Sequence, residues 1–337
     1  MALLEFTEKG IYCAAAGVYI DPWRPVDRAL ITHGHADHSR WGHKHYLFTR
    51  SAAPVIRHRL GNIRHDTVEY GEVTRINGVS FSFHPAGHIV GSAQIRVEHK
   101  GEVWVASGDY KVEDDGLSEA FEPVRCHTFI TESTFGLPVY RWKQQKKVFT
   151  QINEWWKQNQ ADGKASIIGV YALGKAQRVL AGVDSSIGPI HTHGAIENTN
   201  EVMRRQGITL PKTTRITREV KAADLEGSLV LATPSATGSN WMKRFKKASV
   251  GIASGWMALR GTRRRRSADR GFVLSDHADW TGLNEAITAT GAERVVVTHG
   301  YTNLFARYLR EERGLDAWEA QTEYEGESLD KDDDSED

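Results

Sequence analysis

The sequence predicts a protein of the α/β class, and three observations along its 337 residues support this prediction. Up to about residue 135, short apolar segments are interrupted by Gly, Asp and Asn, which is typical of strands joined by turns. From about residue 141, strand-like and helix-like segments alternate, which is typical of parallel βα units. Near residue 269 the chain returns to strand and helix pairs, without a linker rich in Pro or Ser. We therefore expect a first domain in two pieces, residues 1–140 and 269–327, with a second α/β domain, residues 141–268, inserted between them.

The first domain should be built mainly from strands rich in Val, Ile, Phe and Trp. We expect these strands at residues 11–21, 29–32, 79–84, 94–98, 103–107 and 128–131. Residues 94–99 and 102–107 flank Lys100-Gly101, so these two segments should pair as a tight hairpin.

The inserted domain should begin with a helix, because Val148, Ile152, Trp155 and Trp156 fall on one face at helical spacing. Strands should follow at residues 166–170, 189–192, 229–232 and 250–253, and helices at residues 173–183 and 197–205. The last part of the chain should supply strands at residues 271–275 and 294–298 and helices at residues 281–290 and 303–312.

Charge and composition exclude several classes of protein. Apolar residues make up 40% and charged residues 26% of the chain, which is a globular balance and not that of a disordered or fibrous protein. No apolar run reaches the ~18 residues of a membrane span, and the first residues do not resemble a secretory signal. Two cysteines, Cys13 and Cys126, cannot build a disulfide framework, which fits a reducing cytoplasm. The net charge is zero, but residues 330–337 carry a net charge of −5; the acidic tail, residues 328–337, should be flexible, and the rest of the chain is basic.

The chain contains fifteen histidines, and three of them crowd into one segment after an apolar strand: His33, His35 and His38, with Asp37 between the last two. In a tight turn His33 and His35 should project to one side, while Asp37 and His38 should open the next helix and point elsewhere. Four ligands so close in sequence suit two adjacent cations better than one tetrahedral ion. Imidazole and carboxylate ligands without thiolate suit Zn²⁺, Mn²⁺ or Fe²⁺. The alternative is a surface loop that is rich in histidine by chance.

Further candidate ligands follow other apolar strands. His88, Asp109 and His299 each come just after a strand and beside a glycine that lets the backbone turn. Each of them alone could be an ordinary loop residue. Together with the first motif they would complete two metal sites.

The order of these motifs, HxHxDH, GHxxGS, SGDY and THG, resembles the metallo-β-lactamase fold and its β-CASP branch of nucleic-acid-processing enzymes. Two further β-CASP motifs correspond to the segments around Glu132 (TESTFG) and His277 (LSDHAD). Within the branch, the chain length and the SGWM segment from residue 254 are most similar to the bacterial ligase-associated DNA exonucleases. The resemblance implies an αββα sandwich with an inserted β-CASP α/β domain.

The resemblance also implies a role for each motif residue. His33, His35 and His88 would hold a first metal ion, Asp37, His38 and His299 would hold a second, and Asp109 would bridge the two. Asp21 matches an acidic position that orients the ligand loop, although it could also simply end a strand.

Two divalent ions of this kind would support the hydrolysis of a phosphodiester, with Asp37 among the residues required for catalysis. We expect His277 to act as general acid and Glu132 to orient its ring and favour its protonated form. The alternative is that Glu132 and His277 only pack a strand junction.

Substrate class depends on less specific features. Two basic clusters favour a polyanion over a small molecule, since both suit contacts with phosphates. They are Arg263, Arg264, Arg265 and Arg266, and Lys243, Arg244, Lys246 and Lys247. We expect a DNA nuclease in repair that acts as an exonuclease on single strands or ends, with a functional link to a DNA ligase and no membrane partner. An RNA-processing β-CASP ribonuclease is the alternative, while the intact motifs disfavour a small-molecule hydrolase and a non-enzymatic scaffold.

Overall fold

The computed structural model describes residues 2–259 and 268–324. The arginine cluster at residues 263–266 and the acidic tail at residues 328–337 lie outside them. The described residues form two compact units. The first unit consists of the described residues of Met1–Arg141 and Asp276–Ser328, and the second unit consists of those of Trp142–Ser275. Both units combine strands and helices, which confirms the α/β class.

The first unit contains two sheets. The first sheet has six strands in chain order: β1 (Glu5–Thr7), β2 (Gly10–Cys13), β3 (Val18–Ile20), β4 (Ala29–Leu30), β5 (Tyr46–Thr49) and β6 (His65–Val68). The second sheet is formed by β7 (Thr74–Ile76), β8 (Val79–Pro85), β9 (Ala93–His99), β10 (Glu102–Ala106), β11 (Thr128–Glu132), β18 (Arg294–Thr298) and β19 (Asp316–Glu319). Its strand order is β19-β18-β11-β10-β9-β8-β7.

Buried side chains of both sheets form one apolar cluster, so the two sheets pack face to face. On β10, Trp104 and Ala106 join this shared cluster, whereas Val103 and Val105 join a cluster on the opposite face. A strand that is buried on both faces shows this two-residue alternation without polar positions.

Helices cover the outer faces of the two sheets. They are α1 (Ala53–Leu60), α6 (Trp280–Thr290) and α7 (Thr302–Glu311). Ile56 of α1 packs with Tyr46 and Phe48 of β5, while Leu283 of α6 and Phe305 of α7 pack on the second sheet. The first unit is therefore a sandwich of helix, sheet, sheet and helices.

The second unit has one parallel sheet in the order β14-β13-β15-β12-β16-β17. Its strands are β12 (Ala165–Gly169), β13 (Ile190–Thr192), β14 (Thr214–Arg215), β15 (Leu229–Ala232), β16 (Ala248–Ala253) and β17 (Arg270–Phe272). Its helices are α2 (Gln145–Ala161), α3 (Lys175–Gly182), α4 (Gly194–Arg205) and the short α5 (Pro234–Thr237). On α2 the expected face is confirmed for Val148, Ile152 and Trp156, which are all buried.

Several details differ from the sequence predictions. The strand expected at residues 11–21 is two strands, because Gly17 adopts a positive φ of 69° and the chain turns back between β2 and β3. The sequence predictions also lack the strands β1, β5, β6, β7, β14 and β19 and the helices α1 and α5. The second unit extends beyond residue 268, because β17 pairs with β16 and the Asp269 carboxylate accepts a hydrogen bond from Val250 N–H at 2.8 Å.

The hairpin at Lys100-Gly101 is confirmed, with both residues at positive φ, 50° and 82°. Among the described residues, every helix is too short or too polar to cross a bilayer.

Candidate metal centre

The histidine-rich segment forms a turn directly after β4. The Thr32 backbone N–H donates to the Asp21 carboxylate at 2.7 Å, and the Thr32 hydroxyl donates to the same carboxylate. Asp21 itself has a positive φ of 41°, a conformation that aspartate tolerates better than most residues. These contacts fix the point at which the chain leaves the sheet.

The turn does not continue into the helix that was expected at Asp37 and His38. The Arg59 guanidinium, which comes from α1, donates to the Gly34 carbonyl at 2.7 Å. In a helix that carbonyl would accept the N–H of His38, which instead donates to the His35 carbonyl at 3.2 Å. The side chain of Arg59 therefore replaces a helical hydrogen bond and holds the loop in its compact form.

The other candidate ligands lie at one edge of the second sheet. The strands β8 and β10 are both antiparallel to β9, while β10, β11 and β18 are mutually parallel, so their carboxyl ends meet at this edge. His88 follows β8, Asp109 follows β10, Glu132 ends β11 and His299 follows β18.

Glycines allow the sharp turns that place these side chains. Gly108 has a φ of 57°, and a Cβ atom there would lie 2.7 Å from the Thr32 side chain. Gly300 has a φ of 68°, and its Cβ would lie 2.4 Å from the Ser133 carbonyl oxygen. Any larger residue at either position would displace the neighbouring Asp109 or His299. His299 has a positive φ of 52°, which is a strained conformation for a non-glycine residue.

The structure brings four of the expected ligands together as a first set: His33, His35, His88 and Asp109. Each offers one donor atom, and these atoms lie within 4.8 Å of one another. His33 Nε2 is 3.5 Å and His88 Nε2 is 3.9 Å from Asp109 Oδ2, and His88 Nε2 is 3.0 Å from His35 Nδ1.

A second set lies beside the first and consists of Asp37, His38 and His299, whose donor atoms also lie within 4.8 Å of one another. His38 Nε2 is 3.7 Å from Asp37 Oδ2 and 3.5 Å from Asp109 Oδ2, and His299 Nε2 is 3.8 Å from Asp109 Oδ1. Asp109 therefore faces both sets, because its Oδ2 atom lies near His33 and its Oδ1 atom lies near His299.

The remaining ring nitrogens hold these histidines in position. His88 Nδ1–H donates to the Asp276 carbonyl at 2.9 Å, and His38 Nδ1 lies 2.7 Å from Asp21 Oδ2. His33 Nδ1 contacts the Thr32 hydroxyl at 3.0 Å. With Nδ1 engaged in this way, Nε2 is left to face the cluster, as metal-binding histidines require.

Several buried donor atoms of the cluster make no hydrogen bond with any described residue. They are His33 Nε2, His38 Nε2, His299 Nε2 and Asp109 Oδ1. Buried polar atoms of native proteins are almost always paired, so unpaired atoms that face one another require an explanation. A divalent cation would satisfy all four, and the imidazole and carboxylate donors fit such an ion.

Burial keeps most of these imidazoles neutral. It lowers the pKa of His33 and His88 well below the ordinary value and the pKa of His299 to about 3, and the neighbouring imidazoles add to the effect. Neutral imidazole is the form that binds a metal ion.

Carboxylates act in the opposite direction at His38. Burial alone would lower its pKa, but Asp109, Asp37 and Asp21 raise it to about 10. Burial raises the pKa of Asp109 to about 7. Both shifts arise because negative charge is buried in the cluster, and a divalent cation would balance that charge.

Glu132 and His277 form a pair beside the first set. His277 Nδ1 lies 2.9 Å from both carboxylate oxygens of Glu132, and the His277 and His88 rings are 4.6 Å apart. Burial favours a protonated Glu132, but His277 and the N–H of Tyr110, which donates at 2.9 Å, lower its pKa. Glu132 is thus an ionised carboxylate that holds the His277 ring.

One aromatic residue of the site was not expected from the sequence. Tyr324 stacks on the rings of His38 and His299, with 4.5 Å between ring centroids in both cases. It follows the last strand in a polar segment without periodicity, so no sequence signal marks it.

The site residues expected from sequence are thus brought together, apart from the four arginines at 263–266, which lie outside the described residues. The second basic cluster lies in the other unit, where Arg244 packs over the Trp241 ring at 4.8 Å.

Comparisons with known proteins relate the chain to nucleases and to one protein named a ligase. A probable DNA ligase from Opitutus terrae is 31% identical over 313 residues, which cover 92% of this chain and 30% of that protein. An RNase J-like protein from Methanocaldococcus jannaschii is 26% identical over 215 residues, 53% of this chain and 50% of its own length. Endoribonuclease YSH1 from Saccharomyces cerevisiae is 30% identical over 123 residues, 35% of this chain and 15% of its own length. The chain thus spans half or less of each relative.

No protein-family model matches the chain. The crystal structure of a protein of unknown function from Enterococcus faecalis V583 matches with a TM-score of 0.59 and 9% identity, over 88% of this chain and 79% of that one. This match concerns the fold alone. Two of these relatives are named as an RNase J-like protein and an endoribonuclease, and these names support the expectation of a metal-dependent nuclease.

Proposed function

We propose that this protein is a two-metal-ion phosphodiesterase of the metallo-β-lactamase fold, with an inserted β-CASP domain, that degrades DNA. One observation carries the proposal: seven imidazole and carboxylate side chains from four separate loops form two adjoining donor sets that share Asp109. The layers of the first unit and the separate parallel sheet of the second support the proposed architecture.

The two donor sets suit two ions, for which Zn²⁺ and Mn²⁺ are the candidates. His33, His35 and His88 would hold the first ion, and Asp37, His38 and His299 the second, with Asp109 shared. When bound, a pair of divalent ions lowers the pKa of water towards neutrality and offsets the charge that develops on a phosphate under attack. The other residues of the site have roles that depend on their own contacts.

His277 would protonate the oxygen that leaves the phosphorus. The Glu132 carboxylate engages Nδ1 at 2.9 Å, so the opposite nitrogen, Nε2, is the one that presents a proton. Asp21 would keep the ligand loop in register, because it binds both Thr32 and His38. Asp37, the most exposed carboxylate of the sets, would lie nearest to the substrate.

DNA is favoured as the substrate by the relative that matches nearly the whole chain. The probable DNA ligase covers 92% of this chain, whereas the relatives named for ribonuclease activity cover about half or less. We propose an exonuclease that acts on single strands or ends during repair and works together with a DNA ligase. The four arginines at 263–266 would contact phosphates along the strand.

An RNA-processing ribonuclease is the second candidate, and the RNase J-like and YSH1 relatives favour it. The donor sets act on the phosphate, which DNA and RNA share. The 2′-hydroxyl is the group by which a protein distinguishes them.

One cleavage experiment separates these candidates. End-labelled single strands of DNA and RNA with one sequence, and a blunt DNA duplex, are incubated with the protein and Mn²⁺ or Zn²⁺. Asp37→Ala tests the site, and Asp27→Ala, an exposed aspartate paired with Lys44 on the same unit, is the matched control. We expect DNA to be cleaved by the wild type and by Asp27→Ala, and not by Asp37→Ala.

Other outcomes of this experiment would support different conclusions. Cleavage of RNA alone would favour the ribonuclease. Cleavage of neither polymer would contradict the nuclease proposal, and activity that survives in Asp37→Ala would indicate a contaminating enzyme.

A further inference from the structure

The segment after β19 runs from the second sheet to the histidine loop. Ala320 N–H donates to the Val297 carbonyl at 3.0 Å, and three residues later the Glu323 carbonyl accepts a hydrogen bond from the Arg40 guanidinium at 2.9 Å. Arg40 also donates to the Asp37 carbonyl at 3.3 Å, so one side chain ties this segment to the loop. An ion pair of 2.8 Å between Arg24 and Glu323 adds a second tie at the surface.

Tyr324 follows directly and covers the rings of two candidate ligands. Its ring is nearly parallel to that of His38, at 7°, and to that of His299, at 3°, with centroids 4.5 Å away in both cases. Its hydroxyl donates to the Asp21 carbonyl at 3.0 Å, and the Trp23 ring packs edge-on against it at 5.3 Å. Tyr324 therefore contacts two ligands of the second set and the residue that orients one of them.

The two candidate sets differ in how their imidazole planes are held. In the first set the rings of His33, His35 and His88 pack edge-on against one another, at 80–86°, and so fix each other. In the second set the rings of His38 and His299 lie within 5° of parallel, 5.2 Å apart. The His38 ring also packs against the His33 ring, with 4.2 Å between their centroids, and Tyr324 adds a ring that is stacked on both His38 and His299 and limits their rotation about the Cβ–Cγ bond.

His299 has a particular need for such support. Its backbone is in the left-handed region, and within residues 2–259 and 268–324 its Nδ1 contacts the Thr298 hydroxyl alone, at 3.2 Å, whereas His38 Nδ1 contacts the Asp21 carboxylate at 2.7 Å. Stacked aromatic rings stabilise each other beyond the area that they bury, so the Tyr324 ring restrains both imidazoles.

We propose that Tyr324 is a positioning residue for the second metal site: it holds His38 and His299 in the plane in which both Nε2 atoms face one ion. The proposal rests on the two-metal function proposed above. It goes beyond that function because it makes the two sites unequal in their dependence on the segment at residues 320–324.

The test measures metal binding and does not depend on nuclease activity. Metal-free protein is titrated with Zn²⁺ in competition with a chromophoric chelator, and the bound ions are counted after dialysis. The variants are Tyr324→Ala, Tyr324→Leu, which keeps apolar volume without a ring, and Tyr324→Phe, which keeps the ring without the hydroxyl. Tyr12→Ala is the matched control, since Tyr12 stacks on Tyr19 at 4.5 Å elsewhere in the same unit.

We expect the wild type, Tyr324→Phe and Tyr12→Ala to bind two ions with unchanged affinity. In Tyr324→Ala and Tyr324→Leu one of the two binding steps should lose about 10–100-fold in affinity, as for other residues that support metal ligands, while the other step is unchanged. Thermal melting of the metal-free proteins shows whether either variant has unfolded. If Tyr324→Ala has unfolded, the metal affinity of Tyr324→Leu tests the proposal.

Other outcomes separate the two proposals. Equal loss at both steps would make Tyr324 a general structural residue, and no loss at either step would remove its role; both results overturn this inference alone. A wild-type protein that binds fewer than two ions would overturn the two-metal function, and this inference with it.

Discussion

Replacing Glu132 by Gln tests whether the pair with His277 contributes to catalysis. Glu132 accepts the Tyr110 N–H at 2.9 Å and faces His277 Nδ1 at 2.9 Å with both oxygens. In Glu132→Gln the remaining carbonyl oxygen can keep Tyr110, which turns the amide NH₂ group towards His277 and disfavours its protonated form. A hydrogen bond to a charged group contributes about 1.5–3 kcal/mol. At about 1.4 kcal/mol for each factor of ten, kcat should fall by about 10–150-fold.

The assay is steady-state cleavage of a labelled DNA strand, with metal content and melting temperature measured on the same samples. The control is Glu122→Gln, because Glu122 lies 3.5 Å from His84 Nδ1 in a more exposed pair on the same unit. We expect kcat to fall in Glu132→Gln alone, with two ions still bound. A lower melting temperature with an unchanged kcat would refute the reasoning and leave Glu132 and His277 as packing at a strand junction. Loss of metal would assign them to the metal site.

Three other outcomes follow from the structure. Asp21→Asn should weaken metal binding by about 10–100-fold in chelator competition, because the charge that holds His38 is lost; unchanged affinity would show that the carboxylate does not position the loop. A metal ion at about 100 times its Kd should stabilise the fold by about 2.7 kcal/mol in urea unfolding, and chelation should reverse this; identical unfolding curves would mean that the folded state holds no ion. Burial, with Arg40 nearby, lowers the pKa of His43 to about 4, so the unfolded chain gains a proton below about pH 6.5 that the folded chain does not. Between pH 7 and pH 5 the wild type should therefore lose about 1–1.5 kcal/mol more stability than His43→Gln, which is less than the ~1.8 kcal/mol of full linkage because solvent screens part of the site; equal losses would contradict the shift.

Much of the fold follows from local patterns. The helix through Val148, Ile152 and Trp156 and the hairpin at Lys100-Gly101 are confirmed because periodicity and turn chemistry act over a few residues. Strand β5 and helix α1 have no comparably clear local pattern. Helix α1 carries Arg57, His58 and Arg59 in its last turn and buries Val55 and Ile56, so packing against the sheet decides its structure.

The candidate site likewise has a part that the sequence predicts and a part that only the structure shows. His33, His88, Asp109 and His299 could be selected from the sequence because each follows an apolar strand. The contacts that hold them could not, since they join residues far apart in the chain: the Asp276 carbonyl binds His88, and Arg59 binds the loop through Gly34. Backbone carbonyls carry no sequence signal, because every residue has one.

The sequence by itself determined the ligand types, the strand ends on which they lie and the class of chemistry, because these depend on residue identity and local pattern. Only the tertiary structure decided that Asp109 faces both donor sets and that Tyr324 stacks on one of them. Tyr324 is 286 positions from His38 in the chain, and stacking depends on ring planes that form only once the sheets and the segment after them have packed.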